Sequence, residues 1–306
     1  MTRTYDLPHN QPTRIKNNRC AYCNAEFSDD SEPEKEHVIG RLFVPKGSHN
    51  GQWNLHLNSC HRCNQDKSAL ENDISAISMI QTAGPSGEFD VTLAEEAERK
   101  GKTTSRRTRK PVSLSSETSK IVTQFGDATI SFGFSAPAQV DTGRLYRLAR
   151  YQIAGFFFLL TYDEEQRQGY CWPGEFMPLG AVRRADWGNP IKTSFSSAVC
   201  NWEFSFGGGP TSNGYFQALI KKHPSEALWS WALEWNNNYR LFGFLGNRSE
   251  AEKIISGFEP LQKNGPYFDG EANYFIREET PLLEDADDLF FYVSERPANG
   301  PVESAQ

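Results

Sequence analysis

The clearest periodic signal lies near the N-terminus. Cys63, Lys67, Leu70, Ile74 and Ile77 recur every three or four residues, which is one face of a helix. A helix is therefore predicted from about Ser59, with Ser59 as its cap. Ahead of it, Val38-Ile39 and Leu55-His56-Leu57 are short apolar runs that read as strands, with Pro45, Gly47 and Gly51 in the loop between. Residues 1–17 are polar, hold Pro8 and Pro12, and read as an extended lead-in. Residues 82–118 show neither period. Gly84-Pro85, the acidic Glu95, Glu96 and Glu98, and a basic run from Arg99 to Lys110 predict a linker. Alternation returns at Thr129 to Phe134, a strand. Leu145, Leu148, Tyr151, Gln152 and Ala154 to Leu159 predict a helix capped by Asp141 or Thr142. Strands follow at Asn201–Phe206, Tyr215–Lys221, Leu228–Trp235 and Tyr239–Leu245, with Asn236-Asn237-Asn238 as a turn and a short helix at Ser249–Ser256. The expected class is α+β: a metal-stapled module over 1–81, a basic linker over 82–118, and over 119–306 a larger domain of antiparallel sheet with helices.

Composition supports a folded chain. The 306 residues are 38% hydrophobic, and 21 Phe with 7 Trp can supply a core. The longest apolar run, Ile153 to Leu160, is interrupted by Gly155 and falls far short of the roughly 20 residues of a membrane span. The first residues lack the apolar stretch of a signal peptide, so a soluble cytosolic protein is expected. Net charge is −7, which argues against a passive nucleic-acid coat, but it is unevenly spread. Residues 1–112 carry 16 Lys and Arg against 15 Asp and Glu; the rest carries 16 against 24. The first part can face a phosphate backbone while the second is an acidic body.

Four of the six cysteines form two Cys-x-x-Cys pairs, Cys20/Cys23 and Cys60/Cys63, separated by 36 residues. Without a secretion signal such pairs favour a metal over disulfides, and two knuckles can close one tetrahedral thiolate site. Structural zinc is the expected occupant, since a segment of this size has little core of its own. Cys171 and Cys200 are isolated and read as small buried residues.

Between and after the knuckles stand Glu36-His37-Val38-Ile39, then Asn54-Leu55, then Cys60-x-x-Cys63-Asn64-x-x-Lys67. In that order these resemble the HNH (His-Me finger, ββα-metal) endonuclease family, over residues 20 to about 73. The resemblance implies a nuclease that hydrolyses phosphodiester bonds, with DNA the expected substrate, cut to 5′-phosphate and 3′-hydroxyl ends. It implies His37 as general base, Asn54 holding the catalytic loop in shape, and Glu36 and Asn64 as ligands of a catalytic Mg²⁺ or Mn²⁺. Gly40 stands where the family often has proline, and Glu36 where it usually has aspartate. The residue types suit phosphodiester hydrolysis, because an imidazole titrates near working pH and a hard cation takes carboxylate and amide oxygens. Glu36 and His37, being adjacent on an extended segment, should point apart.

Arg41 and Lys67 are candidate nucleic-acid contacts, as are Arg106, Arg107, Arg109 and Lys110 in the basic run, which reads equally as a solvated linker. His56 is expected on a strand surface and His61 in solvent or as a rival zinc ligand, while His49 sits in a loop that can touch DNA. Trp229, Trp231, Trp235, Tyr239, Phe242 and Phe244 read as core. A binding module without cleavage is the alternative function. A further one is a nuclease switched by a ligand or partner at the C-terminal domain, as in a restriction or phage-defence effector.

Overall fold

The computed structural model describes residues 5–6, 11–28, 32–80, 90–125, 128–137, 141–261, 264–268, 273–276, 278–282 and 289–290. Most of the lead-in before residue 11, Gly84-Pro85 of the expected linker and the end of the expected C-terminal domain after 290 lie outside the described residues.

Two short strands, β1 (Tyr5–Asp6) and β2 (Thr13–Arg14), precede β3 (Glu34–His37) and β4 (Leu55–Ser59). β3 runs antiparallel to β4 with His37 opposite His56, and β2 joins β4 in parallel. The expected strand at Val38-Ile39 thus gives way to the polar Glu-Lys-Glu-His run just before it. An edge strand needs little apolar burial, which frees Val38 and Ile39 to fill the core, where both are fully buried. α1 (His61–Ser78) follows, and its cap position is Cys60 rather than Ser59. Ser59 ends β4, with its hydroxyl buried and unpartnered among the described residues.

From residue 90 on, the segment read as a linker is built structure. α2 (Val91–Gly101) is capped by Asp90, which accepts from Leu93 N at 3.2 Å, and it packs on α1 with Leu93 and Lys100 buried. The acidic patch and the start of the basic run lie on or at the end of this helix, paired as Glu96–Arg99 and Glu98–Lys102, while Arg106, Arg107, Arg109 and Lys110 follow it. A hairpin of β5 (Ser116–Phe125) and β6 (Ala128–Pro137) comes next, then α3 (Thr142–Leu160), capped by Asp141 as expected.

The remaining elements are β7 (Glu175–Arg183), α4 (Pro190–Val199), β8 (Glu203–Gly207), β9 (Phe216–Lys222), β10 (Leu228–Trp235), β11 (Tyr239–Gly246), α5 (Arg248–Ile255), β12 (Asn264–Phe268) and β13 (Asn273–Ile276). They complete a six-stranded sheet ordered β1-β8-β9-β10-β11-β7, antiparallel except at β1–β8, and a four-stranded sheet β13-β12-β5-β6. β10 and β11 are buried on both faces. Trp229, Trp231, Leu233 and Trp235 share one core with α3; Ala232, Phe242 and Phe244 share the other with Phe195 of α4 and Ala251 of α5. The aromatic strands are core, as their alternation indicated.

The first of these cores also contains Val38, Ile39, Phe43, Trp53 and Leu55, so the N-terminal segment and the large sheet are packed as one body. Phe43 meets Trp235 edge-on at 5.2 Å, and Trp53 lies 6.0 Å from Phe156. Gly155 of α3 allows a close approach: a Cβ there would lie 2.6 Å from a Val38 methyl. At the β10–β11 turn, Asn236 and Asn237 take φ of 52° and 51°, left-handed values that asparagine tolerates. Asn236 Nδ2 donates to Ser78 Oγ at 2.7 Å, and Asn238 Nδ2 to Ile80 O at 2.7 Å, tying this turn to the end of α1.

Candidate functional site

The first knuckle is a tight turn. Cys20 N donates to Ala25 O, Asn24 N returns to Cys20 O, and Asn24 takes a φ of 59°. The second joins β4 to α1. Together they bring the Sγ atoms of Cys20, Cys23, Cys60 and Cys63 within 4.8 Å of one another, with Cys23 and Cys60 at 3.8 Å. A tetrahedron of metal–sulfur bonds of about 2.3 Å has sulfur–sulfur edges of about 3.8 Å, so the cluster can hold a metal ion such as zinc. The Cys63 thiol, hydrogen-bonded to Cys20, holds the Cys20 thiol down at about 4. His61 is not in the cluster; its Nδ1 lies 2.6 Å from Glu34 Oε1 in an exposed pair.

β3 and α1 then form the walls of a cleft of about 390 Å³. Glu36, His37 and Asn64 all line it, with Arg41, Arg99, Lys100 and Arg106. Strand alternation turns Glu36 inward and His37 toward His56, ring centroids 4.1 Å apart, so the two side chains point apart as expected. Burial, reinforced by His56 and Arg41, pushes the His37 imidazole down to about 4, so it is neutral at pH 7. Burial also lowers His56 and His49. His56 is half-buried rather than a surface residue, and His49 contacts Gly40 O and Ser212 Oγ. Asn54, fully enclosed, clamps one residue from both sides: its Oδ1 accepts from Ile39 N at 3.2 Å and its Nδ2 donates to Ile39 O at 2.8 Å. This fixes the chain two residues after His37.

Lys67 is where the structure departs furthest from the sequence expectation. Expected to contact nucleic acid, it is 0% exposed. Its Nζ donates to Glu36 Oε1 at 2.6 Å, Glu71 Oε1 at 2.6 Å and His37 O at 3.0 Å. Burial alone would lower its pKa; the Glu71 and Glu36 carboxylates outweigh that and raise it, so the amine is charged. Lys67 thus acts from beneath the cleft, fixing Glu36 and the His37 backbone. Glu71 also accepts from Gly40 N at 3.1 Å, and a side chain at Gly40 would run into the Glu71 carboxylate. Proline, with no N–H and a filled Cβ, does not fit there.

Among the described residues, the side-chain hydrogen bonds of Glu36 use Oε1 and that of Asn64 uses Nδ2, which donates to Glu34 Oε2 at 2.5 Å, so Glu36 Oε2 and Asn64 Oδ1 are left over. One carboxylate oxygen and one amide oxygen are a donor pair that suits a hard divalent cation.

Of the expected contacts, Arg41 is exposed at the rim, and Arg106 lines the cleft while donating to Gln65 Oε1 at 2.6 Å. Arg107, Arg109 and Lys110 are exposed but outside the lining. Cys171 and Cys200, expected buried, are both exposed. They lie beside element ends, where no core closes over them. Lys35 and Glu71 carry no site signal in the sequence, whereas Arg99 and Lys100 open the basic run that reads as a solvated linker or a nucleic-acid contact. Lys100 is 4% exposed and faces the cleft with no partner among the described residues, and burial pushes its amine down to about 8. A signal is present in the spacing of Leu93 and Lys100, seven residues apart on one helical face, but the charges around it obscure the helix.

No family model, curated protein or solved structure matches the chain. Among the described residues, no helix is long and apolar enough to cross a membrane.

Proposed function

We propose that the chain is a metal-dependent endonuclease of the HNH type, hydrolysing phosphodiester bonds in nucleic acid, with DNA the expected substrate. The observation that carries this reading is that the adjacent Glu36 and His37 and the sequence-distant Asn64 line one cation-rimmed cleft beside the four-cysteine cluster. The cluster holds structural zinc, which fixes where α1 starts and hence where Asn64 sits. Glu36 and Asn64 would hold Mg²⁺ or Mn²⁺, which would supply stabilisation of charge on the phosphate and leaving oxygen.

The chain's own groups do the rest. Arg41, Arg99, Arg106 and Lys100 hold the phosphate backbone. His37, neutral near pH 7, takes a proton from water as the water oxygen attacks phosphorus. The phosphorus–O3′ bond breaks and O3′ takes a proton from solvent water, giving a 5′-phosphate and a 3′-hydroxyl. Asn54, through Ile39, and Lys67, through the carbonyl of His37 itself, position His37. The test is to incubate supercoiled plasmid with full-length protein and Mg²⁺, alongside His37→Ala. Cutting by the parent and none by the variant is expected. Equal cutting by both, or none by either, rejects the reading. The Lys67 ion pair on Glu36 favours a second reading, a grip on nucleic acid without cleavage. Retarded plasmid mobility with no cutting in Mg²⁺ or Mn²⁺ is its signature.

A further inference from the structure

A second hollow, larger than the first at about 940 Å³, opens on a different face of α1. Asn64, Ser68 and Glu71 face the His37 cleft, whereas Arg62, Gln65, Asp66 and Ala69 face this one. Across it stands α3 with Arg147, Arg150 and Tyr151. Arg106 lines both hollows. Cleavage at His37 uses none of the other arginines.

The chemistry of the walls narrows the occupant. Four guanidinium groups from three parts of the chain meet here: Arg62 on α1, Arg147 and Arg150 on α3, and Arg106 after α2. Only Arg147 has an acidic partner, Asp66 at 2.5 Å; Arg106 meets a neutral amide; Arg62 and Arg150 have no partner among the described residues. A protein of net charge −7 therefore concentrates cations at one concave place. The floor is aromatic and apolar: Tyr22, Tyr151, Ala154 and Trp172. The Tyr151 ring is held by its hydroxyl on Asp66 at 2.6 Å and by the edge of Tyr22, centroids 5.0 Å apart. A bare phosphate needs no aromatic floor, and an apolar ligand needs no arginines. A nucleotide has a phosphate for one and a planar base for the other, and the volume falls in the range of roughly 300–1,000 Å³ of small-molecule sites.

We propose that this hollow binds a nucleotide, with its phosphate on Arg62, Arg150 and Arg106 and its base against the Tyr151–Trp172 floor. The nucleotide is either free or one unit of a strand that continues past Arg106 from the His37 cleft. The site stands whether or not the chain cleaves.

The test reads binding alone. Full-length His37→Ala protein, purified without chelator, is titrated at low salt against a short fluorescein-labelled single-stranded oligonucleotide by anisotropy, and against ATP and GTP by calorimetry. At least one probe is expected to bind with a Kd below about 100 µM. Arg62→Ala/Arg150→Ala is expected to weaken it by about tenfold or more, with metal content unchanged. Competition of the strand by ATP or GTP points to a free nucleotide as a ligand; strand binding without competition points to the continuing strand. A different role for these arginines is to offset the negative charge of a metal-bound four-thiolate site. Arg62 adjoins Cys63, so should the pair of substitutions cost the protein its metal, Arg150→Glu on α3 decides in its place. Loss of binding with the metal retained supports the proposal. Binding of no probe, or undiminished binding by the deciding variant, overturns it.

Discussion

Gly155 offers a test of the packing on which His37 depends, and its outcome does not require knowing the substrate. A Cβ at this position would lie 2.6 Å and 2.9 Å from the two Val38 methyl carbons. Apolar carbons rest about 3.5–4.0 Å apart, so α3 and the chain after β3 would have to separate by about 1 Å. Val38 is fully buried, and its branched side chain has no easy alternative rotamer. Overpacking of this kind costs about 1–3 kcal/mol, whereas alanine in place of glycine inside a helix contributes about 1 kcal/mol. Gly155→Ala should therefore lower stability by about 1 kcal/mol net, and in a Val38→Ala background it should raise stability by about 1 kcal/mol. The coupling of about 2 kcal/mol is read from urea unfolding of the four proteins in a double-mutant cycle. Because Val38 follows His37, cutting by Gly155→Ala should fall as well, by up to about 100-fold for a displacement near 1 Å. Additive stabilities, or a Gly155→Ala protein more stable than its parent, would refute the close approach of α3 to Val38.

Cys63→Ser should reduce bound zinc from one ion per chain to none by elemental analysis, and should lower the melting temperature, since α1 loses its anchor to β4. Lys67→Met leaves the Glu36 and Glu71 carboxylates buried and uncompensated, and should destabilise by about 3–5 kcal/mol in urea unfolding. Adding Glu71→Gln should recover part of that, and no recovery would count against the shared ammonium. Lys100, lowered to about 8 by burial, is charged below that pH and neutral above it. Oligonucleotide affinity of the His37→Ala protein should fall as pH rises through about 8, and Lys100→Arg should flatten the profile; equal profiles would remove Lys100 from the phosphate contacts.

What the sequence disclosed was local. Each Cys-x-x-Cys knuckle and the apolar spacing of α1 sit within short windows, and the structure forms the helix and brings the four cysteines together. β8 and β10 were legible because their aromatic residues alternate, and β11 because it follows β10 across an asparagine turn. α2 was not, because its buried face is only Leu93, Lys100 and Gly101, and a buried lysine carries no apolar signal. β7 went unseen because Pro178 and Gly180 interrupt it, and its pairing with β11 slips between Phe242 and Gly243. Lys67 looked like a surface cation because nothing near it in sequence shows that Glu36, 31 residues away, and Glu71 enclose it. The shared core of Val38, Trp53 and the large sheet is a long-range fact that no window contains.

The hairpin tip at Asn236–Asn238 would ordinarily be the obvious place to graft a label or split the chain, since tips tolerate change. Here both amides are spent on the tail of α1. That helix carries Cys63, Asn64 and Lys67 at its other end, so it is gripped at both extremities, by sulfur at its head and by asparagine at its foot. A graft at this distant loop would loosen the foot, and its effect should surface at the histidine cleft rather than where the graft was made.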